Sequence, residues 1–76
     1  MRDFDGNELV AGDLVYWRHD RKEAFMESGR ILKIREQIGL AILSPNTKFH
    51  DGVQKASRNI RKMKDEEAML WQLENG

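Results

Sequence analysis

Two histidine–aspartate neighbours are the first residues in this sequence that could do chemistry. They are His19-Asp20 and His50-Asp51, and a carboxylate beside an imidazole can orient the ring for acid–base work. Sequence neighbours on turns rarely point toward each other, however, and no nucleophile or nucleotide-binding motif accompanies them. Two histidines also lack the spacing of a zinc site. The sequence therefore predicts no enzyme, no metal site and no cofactor.

Charge contact with a macromolecule is the second kind of chemistry that the residues offer. Residues 14–64 hold twelve Lys and Arg against five acids, although the whole chain has a net charge of zero. Residues 1–13 hold one Arg against four acids, and residues 65–76 hold four acids and no base. This segregation predicts a basic face, unless the acidic ends fold back over the middle and cancel its field.

Basic and aromatic side chains in the loops and late elements form the candidate binding set. If the first loop lies beside residues 58–64, the two basic segments together make a patch that contacts phosphates, with an aromatic ring free to stack on a base. On a protein partner, aromatic side chains dominate interface hot spots instead. The candidates are Tyr16, Arg18, Arg21, Lys22, Arg58, Arg61, Lys62, Lys64 and Trp71.

The length and composition limit what elements can position these residues. With 76 residues the chain forms a single domain with a thin core and little room for a deep catalytic cleft. The absence of cysteine excludes disulfides and, with no apolar leader at the N-terminus, predicts a cytoplasmic protein. No apolar run is long enough to span a membrane, so no membrane partner is expected.

The first two strands are predicted from β-rich composition after turn residues. Leu14–Trp17 follows a Gly-Asp turn, and alternation places Val15 and Trp17 in the core with Tyr16 facing outward. A second strand is expected after Gly29, in the stretch "GRILKI". Asp20 could instead cap a short helix, and one long helix over residues 21–37 is the main structural alternative.

Three further elements and a helix complete the predicted order. A buried strand is expected over residues 38–44, then a hairpin around Asp51-Gly52 that joins residues 48–50 to residues 53–56. A short turn over residues 57–59 precedes a strand at residue 60. The last element is a helix over residues 65–75.

The terminal helix has a predicted cap and a predicted buried face. Asp65 is the expected N-cap, with Glu66 and Glu67 in the first turn. The stripe of Met69, Leu70 and Leu73 is expected to cover the domain's own core, and Trp71 lies off that stripe, partly exposed.

The segments "GDLV", "SGRILKI" and "GLAIL" resemble those of an SH3-like barrel, most similar to the KOW and Tudor-type group. The resemblance covers residues 9–63 and implies a mainly β fold, a small five-stranded barrel, with the helix over residues 65–75 as an addition. In size the chain also resembles the small accessory barrel proteins of phage and bacterial genomes.

The resemblance and the charge pattern together predict a non-catalytic binding module. The leading expectation is a protein-interaction module that docks on a larger protein or protein complex in an accessory, inhibitory or regulatory role. The alternative is a nucleic-acid-binding domain that contacts RNA or DNA through the basic patch.

Overall fold

The chain folds into one antiparallel sheet followed by a helix. A computed structural model describes residues 1–20, 22–45 and 52–75. The strands are β1 (Leu14–Trp17), β2 (Glu27–Arg35), β3 (Leu40–Pro45), β4 (Val53–Ala56) and β5 (Ile60–Lys62). Short 3-10 turns cover Glu36–Ile38 and Ser57–Asn59, and the helix α1 covers Asp65–Asn75. The predicted mainly β fold with a C-terminal helix is confirmed.

The five described strands pair in the order β4-β3-β2-β1-β5, and every pair is antiparallel. Gly29 of β2 lies where β3 and the Trp17 ring approach β2 closely. A Cβ atom there would lie 2.0 Å from the Ser44 carbonyl oxygen and 2.9 Å from the ring of Trp17. The glycine that marks the second strand in the sequence is therefore required by packing.

The core lies on one face of the sheet. Val15 and Trp17 are fully buried, as predicted, and their strand mate Tyr16 is half-buried on the other face. The indole Nε1 of Trp17 donates a 2.6 Å hydrogen bond to Glu27 at the start of β2. The buried cluster consists of Leu9, Val15, Trp17, Ile31, Ala41, Leu43 and Ile60.

A β-bulge in β2 explains why the alternation of "ILKI" is imperfect. The pairing with β3 shifts between Ile31 and Lys33, which leaves Leu32 as the extra residue. Because the bulge inserts one residue, Ile31 and Ile34 both face the core although they are three positions apart. Leu32 is exposed.

Three local predictions meet different outcomes. The predicted second strand is present as β2, so its alternative, one long helix over residues 21–37, is wrong. The described residues between β1 and β2 also contain no short helix after Asp20. Ile38 is exposed in a 3-10 turn, so the third strand starts later than predicted. The hairpin turn at Asp51 and the strand over residues 48–50 lie outside the described residues.

The N-terminal segment is tied to β5 by the buried carboxylate of Asp3. It accepts hydrogen bonds from the backbone N–H groups of Asp5 (2.9 Å), Asn7 (2.7 Å) and Lys62 (2.7 Å). Burial would raise the pKa of Asp3, but these hydrogen bonds outweigh it and lower the pKa. One side chain thus closes the turn over residues 3–7 and joins it to the sheet.

The helix α1 begins as predicted but is capped differently. Lys64 is the N-cap, since its carbonyl accepts the first helical bond from Ala68 at 2.8 Å. Glu67 reaches back to the Lys64 N–H at 3.0 Å, which is one half of a capping box. The prediction of Asp65 as the cap is therefore wrong. Among the described residues no helix is long and apolar enough to cross a membrane.

The face of α1 that packs on the sheet is the opposite of the predicted one. Trp71 is half-buried and donates from Nε1 to the Ser28 hydroxyl oxygen at 2.9 Å. The predicted core-facing residues Met69, Leu70 and Leu73 are 64%, 60% and 78% exposed. The outer sheet face at Ser28 is polar, so it binds the amphipathic indole rather than the aliphatic stripe.

Candidate functional site

Two phenylalanines and two arginines form a compact cluster on the surface, here called the arginine–phenylalanine surface: Phe4, Arg18, Phe25 and Arg61. The two rings lie 5.4 Å apart between centroids and are tilted by 59°. The guanidinium carbon of Arg18 lies 4.8 Å from the Phe25 centroid and 5.1 Å from the Phe4 centroid. Arg61 lies 5.4 Å and 5.9 Å from the same two rings.

Each arginine of the surface also donates a hydrogen bond from Nε to a side chain of another element. Arg18 follows β1 and donates from Nε to the side-chain oxygen of the buried Asn59 at 3.1 Å. Arg61 lies on β5 and donates from Nε to Asp5 at 2.8 Å. A guanidinium held this way loses less conformational entropy when it contacts a partner.

Phe4 is fixed at its backbone but open at its ring. Its N–H donates to the Ile60 carbonyl at 2.9 Å, beside the Asp3 contacts that anchor the same segment. The side chain nevertheless remains 52% exposed, whereas Phe25 is half-buried. The exposed part of the Phe4 ring is therefore an apolar surface bordered by the positive guanidiniums of Arg18 and Arg61.

The two histidine–aspartate neighbours do not form catalytic pairs in the described residues. Asp20 accepts a hydrogen bond from the side-chain amide of Asn59, and the His19 imidazole lies 3.5 Å from the carboxylate of Glu27. Each member of the pair therefore has a partner on another element. His50 lies outside the described residues.

Arg58 lies beside Arg18 at the edge of the arginine–phenylalanine surface. The Arg18 guanidinium donates to the Arg58 carbonyl at 3.4 Å, and both residues line a cleft of about 350 Å³ with Asp20 and Asn59. The condition for a shared basic patch, that the first loop lies beside residues 58–64, is thus met at Arg18 and Arg58. Within the described residues, no carboxylate forms an ion pair with Arg18 or Arg58.

The acidic N-terminal segment does fold back over the basic middle, which was one of the two open alternatives. Asp5 pairs with Arg61 at 2.8 Å, and Asp13 pairs with Lys62 at 3.6 Å. Lys64 is next to the acidic first turn of α1. The late basic residues therefore form a patch that is partly neutralised, unlike Arg18 and Arg58.

Tyr16 and Trp71, predicted as outward anchors, are both engaged by elements of the chain itself. Tyr16 is half-buried, and burial together with the neighbouring Glu67 carboxylate raises the pKa of its phenol. Trp71 bonds to Ser28, the residue opposite Tyr16 in the β1–β2 pair. These two aromatic residues dock α1 on the sheet. Lys22 is exposed in the loop before β2, and Arg21 lies outside the described residues.

A cleft of about 700 Å³ separates the arginine–phenylalanine surface from the start of α1. Its lining includes Phe25 and Arg61 of that surface together with Tyr16 and Glu67. A second groove, of about 730 Å³, lies elsewhere, between residues 8–11 and residues 33–38. It exposes Val10 and Ile38 but brings no aromatic ring or guanidinium pair together, so it is the weaker binding site.

Neither ring of the surface was among the candidate residues predicted from the sequence, and Phe4 is the less conspicuous of the two. It stands in the charged run "RDFDGN", where no periodicity marks it as core or as an anchor. Its position depends on the hydrogen bond that the Lys62 backbone N–H donates to the Asp3 carboxylate, which joins positions 59 residues apart. The available signal was the pair of aspartates on either side of Phe4, because Asp3 and Asp5 both contact β5 and so hold this segment against the sheet.

The described residues hold no group of three or more His, Cys, Asp or Glu side chains that could bind a metal ion. A family model described as a domain of unknown function (DUF7205) matches residues 1–65. No curated protein and no solved structure matches the chain. The match covers the sheet and the whole arginine–phenylalanine surface, and it ends where α1 begins.

Proposed function

Because the chain belongs to the DUF7205 family, whose description states no activity, we propose its function from its own surface: a non-catalytic protein-binding module that docks through the arginine–phenylalanine surface. The observation that carries this proposal is the half-exposed ring of Phe4 over two positioned guanidiniums. Aromatic and arginine side chains are enriched at interface hot spots, where anchors held in place bind most strongly.

The strand order supports a finer proposal for the fold, an SH3-like barrel. In β4-β3-β2-β1-β5 the last strand pairs with the first, a 3-10 turn precedes β5, and the long β2 carries a bulge. Bulges bend a strand and increase its twist, as closure of a small barrel requires. Small barrels of this type bind partners through their loops and edges.

The partner that fits the surface is a protein segment with an apolar side chain and flanking carboxylates. The apolar side chain would cover Phe4, and the carboxylates would meet the forked donors of Arg18 and Arg58. Both guanidiniums lie at the rim, so they chiefly set the association rate and the specificity. The partner's apolar side chain supplies most of the affinity.

The ion pairs weigh against the alternative of a nucleic-acid-binding domain. Phosphate binding needs free cations that displace the counterions condensed on the nucleic acid, and Arg61 and Lys62 already have aspartates as partners. The acidic first turn of α1 lies at the same cleft as Arg61 and would repel phosphates. A protein partner therefore accounts better for the surface.

A nuclease-treated pull-down from cell extract tests the proposed function. The wild-type chain is expected to recover one stoichiometric protein, and Phe4→Ala is expected to lose it. Val10→Ala is the matched control, because Val10 is 55% exposed and lies in the other groove. Recovery that disappears with nuclease, or that persists in Phe4→Ala, contradicts the proposal.

Titration of the protein with a DNA or RNA duplex and with a single strand of generic sequence tests the alternative of nucleic-acid binding. We expect no binding at low salt. Binding that weakens steeply with salt, with a slope flattened by Arg58→Ala and Arg61→Ala together, would favour nucleic acid over protein.

A further inference from the structure

The outer face of α1 is an apolar stripe with an acidic border. Met69, Leu70 and Leu73 are between 60% and 78% exposed. The helix carries four acids and no base. A soluble domain seldom leaves three large aliphatic side chains together in water unless another surface covers them.

The chain's own sheet cannot cover this stripe. Trp71 bonds to Ser28, and Glu67 lies beside Tyr16, so the opposite face of the helix is already committed to the sheet. The stripe therefore faces away from the domain. What covers it must come from another molecule.

A second copy of the chain could cover the stripe with its own α1 or with its arginine–phenylalanine surface, and charge distinguishes these two arrangements. Two copies of α1 packed against each other would bring eight carboxylates together with no base on either helix, which is unfavourable. The arginine–phenylalanine surface has the complementary character, because it combines an exposed ring with Arg18 and, at its edge, Arg58, two guanidiniums that no carboxylate of the described residues pairs with. Apolar contact and charge complementarity therefore agree on one pairing.

We propose that the chain forms a two-fold symmetric dimer in which α1 of each copy lies on the arginine–phenylalanine surface of the other. Phe25, Arg61 and Glu67 line one cleft, so α1 lies beside the arginine–phenylalanine surface in each copy. Because each copy supplies its helix and receives that of the other, the reciprocal exchange closes as a dimer rather than as an open chain. Leu70 then covers the partner's Phe4.

The proposed dimer depends on the proposed function in one respect, which is that both use the arginine–phenylalanine surface for binding. It implies that a protein partner competes with α1 for that surface, and that the partner presents an acidic, apolar segment of the same chemistry. The helix lies outside the family match at residues 1–65. In the proposed dimer, α1 therefore also controls access to the binding surface of the domain.

Sedimentation velocity over a range of protein concentrations tests the dimer. The wild-type chain is expected to dimerise reversibly and more weakly as salt is added, because the pairing is partly electrostatic. Leu70→Glu should weaken the dimer at least about tenfold, since it removes a buried leucine and adds an acid. Leu32→Glu is the matched control, because Leu32 is 54% exposed on the β2 bulge. A monomer at every concentration, or equal effects of both variants, overturns the proposal.

Disulfide trapping tests the geometry, because the chain has no cysteine of its own. When the Leu70→Cys and Arg58→Cys variants are mixed under mild oxidation, the mixed cross-link is expected to exceed both self-cross-links. A predominance of Leu70→Cys self-cross-links would indicate helix-on-helix packing and would refute the reciprocal arrangement.

The two proposals fail separately. A monomeric chain that still captures a protein in a Phe4-dependent way removes the dimer and keeps the binding function. A dimer whose chain captures no other protein, even as the Leu70→Glu variant with its surface uncovered, keeps the dimer and removes the binding function.

Discussion

Trp71 donates a hydrogen bond from its indole Nε1 to the Ser28 hydroxyl oxygen at 2.9 Å, and this contact sets which face of α1 meets the sheet. Ser28 lies opposite Tyr16 in the β1–β2 pair. The helix therefore covers the outer face of β1 and β2, away from the core residues Val15 and Trp17. The same contact turns the aliphatic stripe of the helix outward.

Removing the Trp71 anchor should release α1 without unfolding the sheet. Trp71→Phe keeps an aromatic ring but loses the bond to Ser28, which we expect to cost about 0.5–1.5 kcal/mol, and it also loses part of the ring area that packs on the sheet. Trp71→Ala should also lose most of the helical signal in circular dichroism. Met69→Ala is the control, because Met69 is exposed and its loss should leave the helix docked. Equal loss of helix in both alanine variants would contradict the assigned face.

Tyr16 should titrate at higher pH than an ordinary tyrosine. Burial comes first among the causes that raise its pKa, and Glu67 adds to it. Because Tyr16 is the one tyrosine of the chain, tyrosinate absorbance reports it alone. The midpoint is expected above the usual value of about 10, and Glu67→Gln should move it back toward that value. No change in Glu67→Gln would place the helix elsewhere.

Gly29 should tolerate no side chain. Gly29→Ala puts a Cβ atom 2.0 Å from the Ser44 carbonyl oxygen, which is backbone and cannot move without separating β2 from β3. Gly39→Ala is the comparison: it has open space but a φ of +67°, so it should cost only about 1–2 kcal/mol. Urea unfolding should therefore show a larger loss for Gly29→Ala. Similar losses for the two variants would refute the close approach of the strands.

The buried carboxylate of Asp3 should make stability depend on pH in the acid range. Its pKa is lowered in the folded chain, so its contribution is fully present above the unfolded value of about 3.9 and is lost as pH falls through the folded pKa. Urea midpoints for the wild type should fall over this range. Asp3→Asn should be less stable at neutral pH and should show a flatter profile. An unchanged profile would mean that Asp3 is not the group responsible.

Local residue patterns were sufficient to predict most of the elements. The Gly-Asp turn and the β-rich run predicted Leu14–Trp17, and the polar turn at residues 57–59 predicted the start of β5. The limits of α1 followed from its acidic first turn. These features depend on neighbouring residues, so a reading of the chain in order can find them.

Local sequence patterns could not predict which face of α1 packs on the sheet. Helical spacing grouped Met69, Leu70 and Leu73, but spacing cannot tell whether a stripe meets the chain's own core or another molecule. That choice depended on the groups that the sheet offers. The outer face of β1 and β2 presents Ser28 and Tyr16, which suit the indole of Trp71 and the carboxylate of Glu67.

Composition and turn chemistry act over a few residues, so they suffice to predict a small mainly β domain with a segregated charge pattern. Which charges act together depends on contacts that form only in the folded sheet. Phe4 meets Phe25, Arg18 and Arg61 because Asp3 ties the first residues to β5. Contacts between side chains so distant in the chain leave no periodic trace in the sequence, so their grouping becomes visible only once the sheet brings them together.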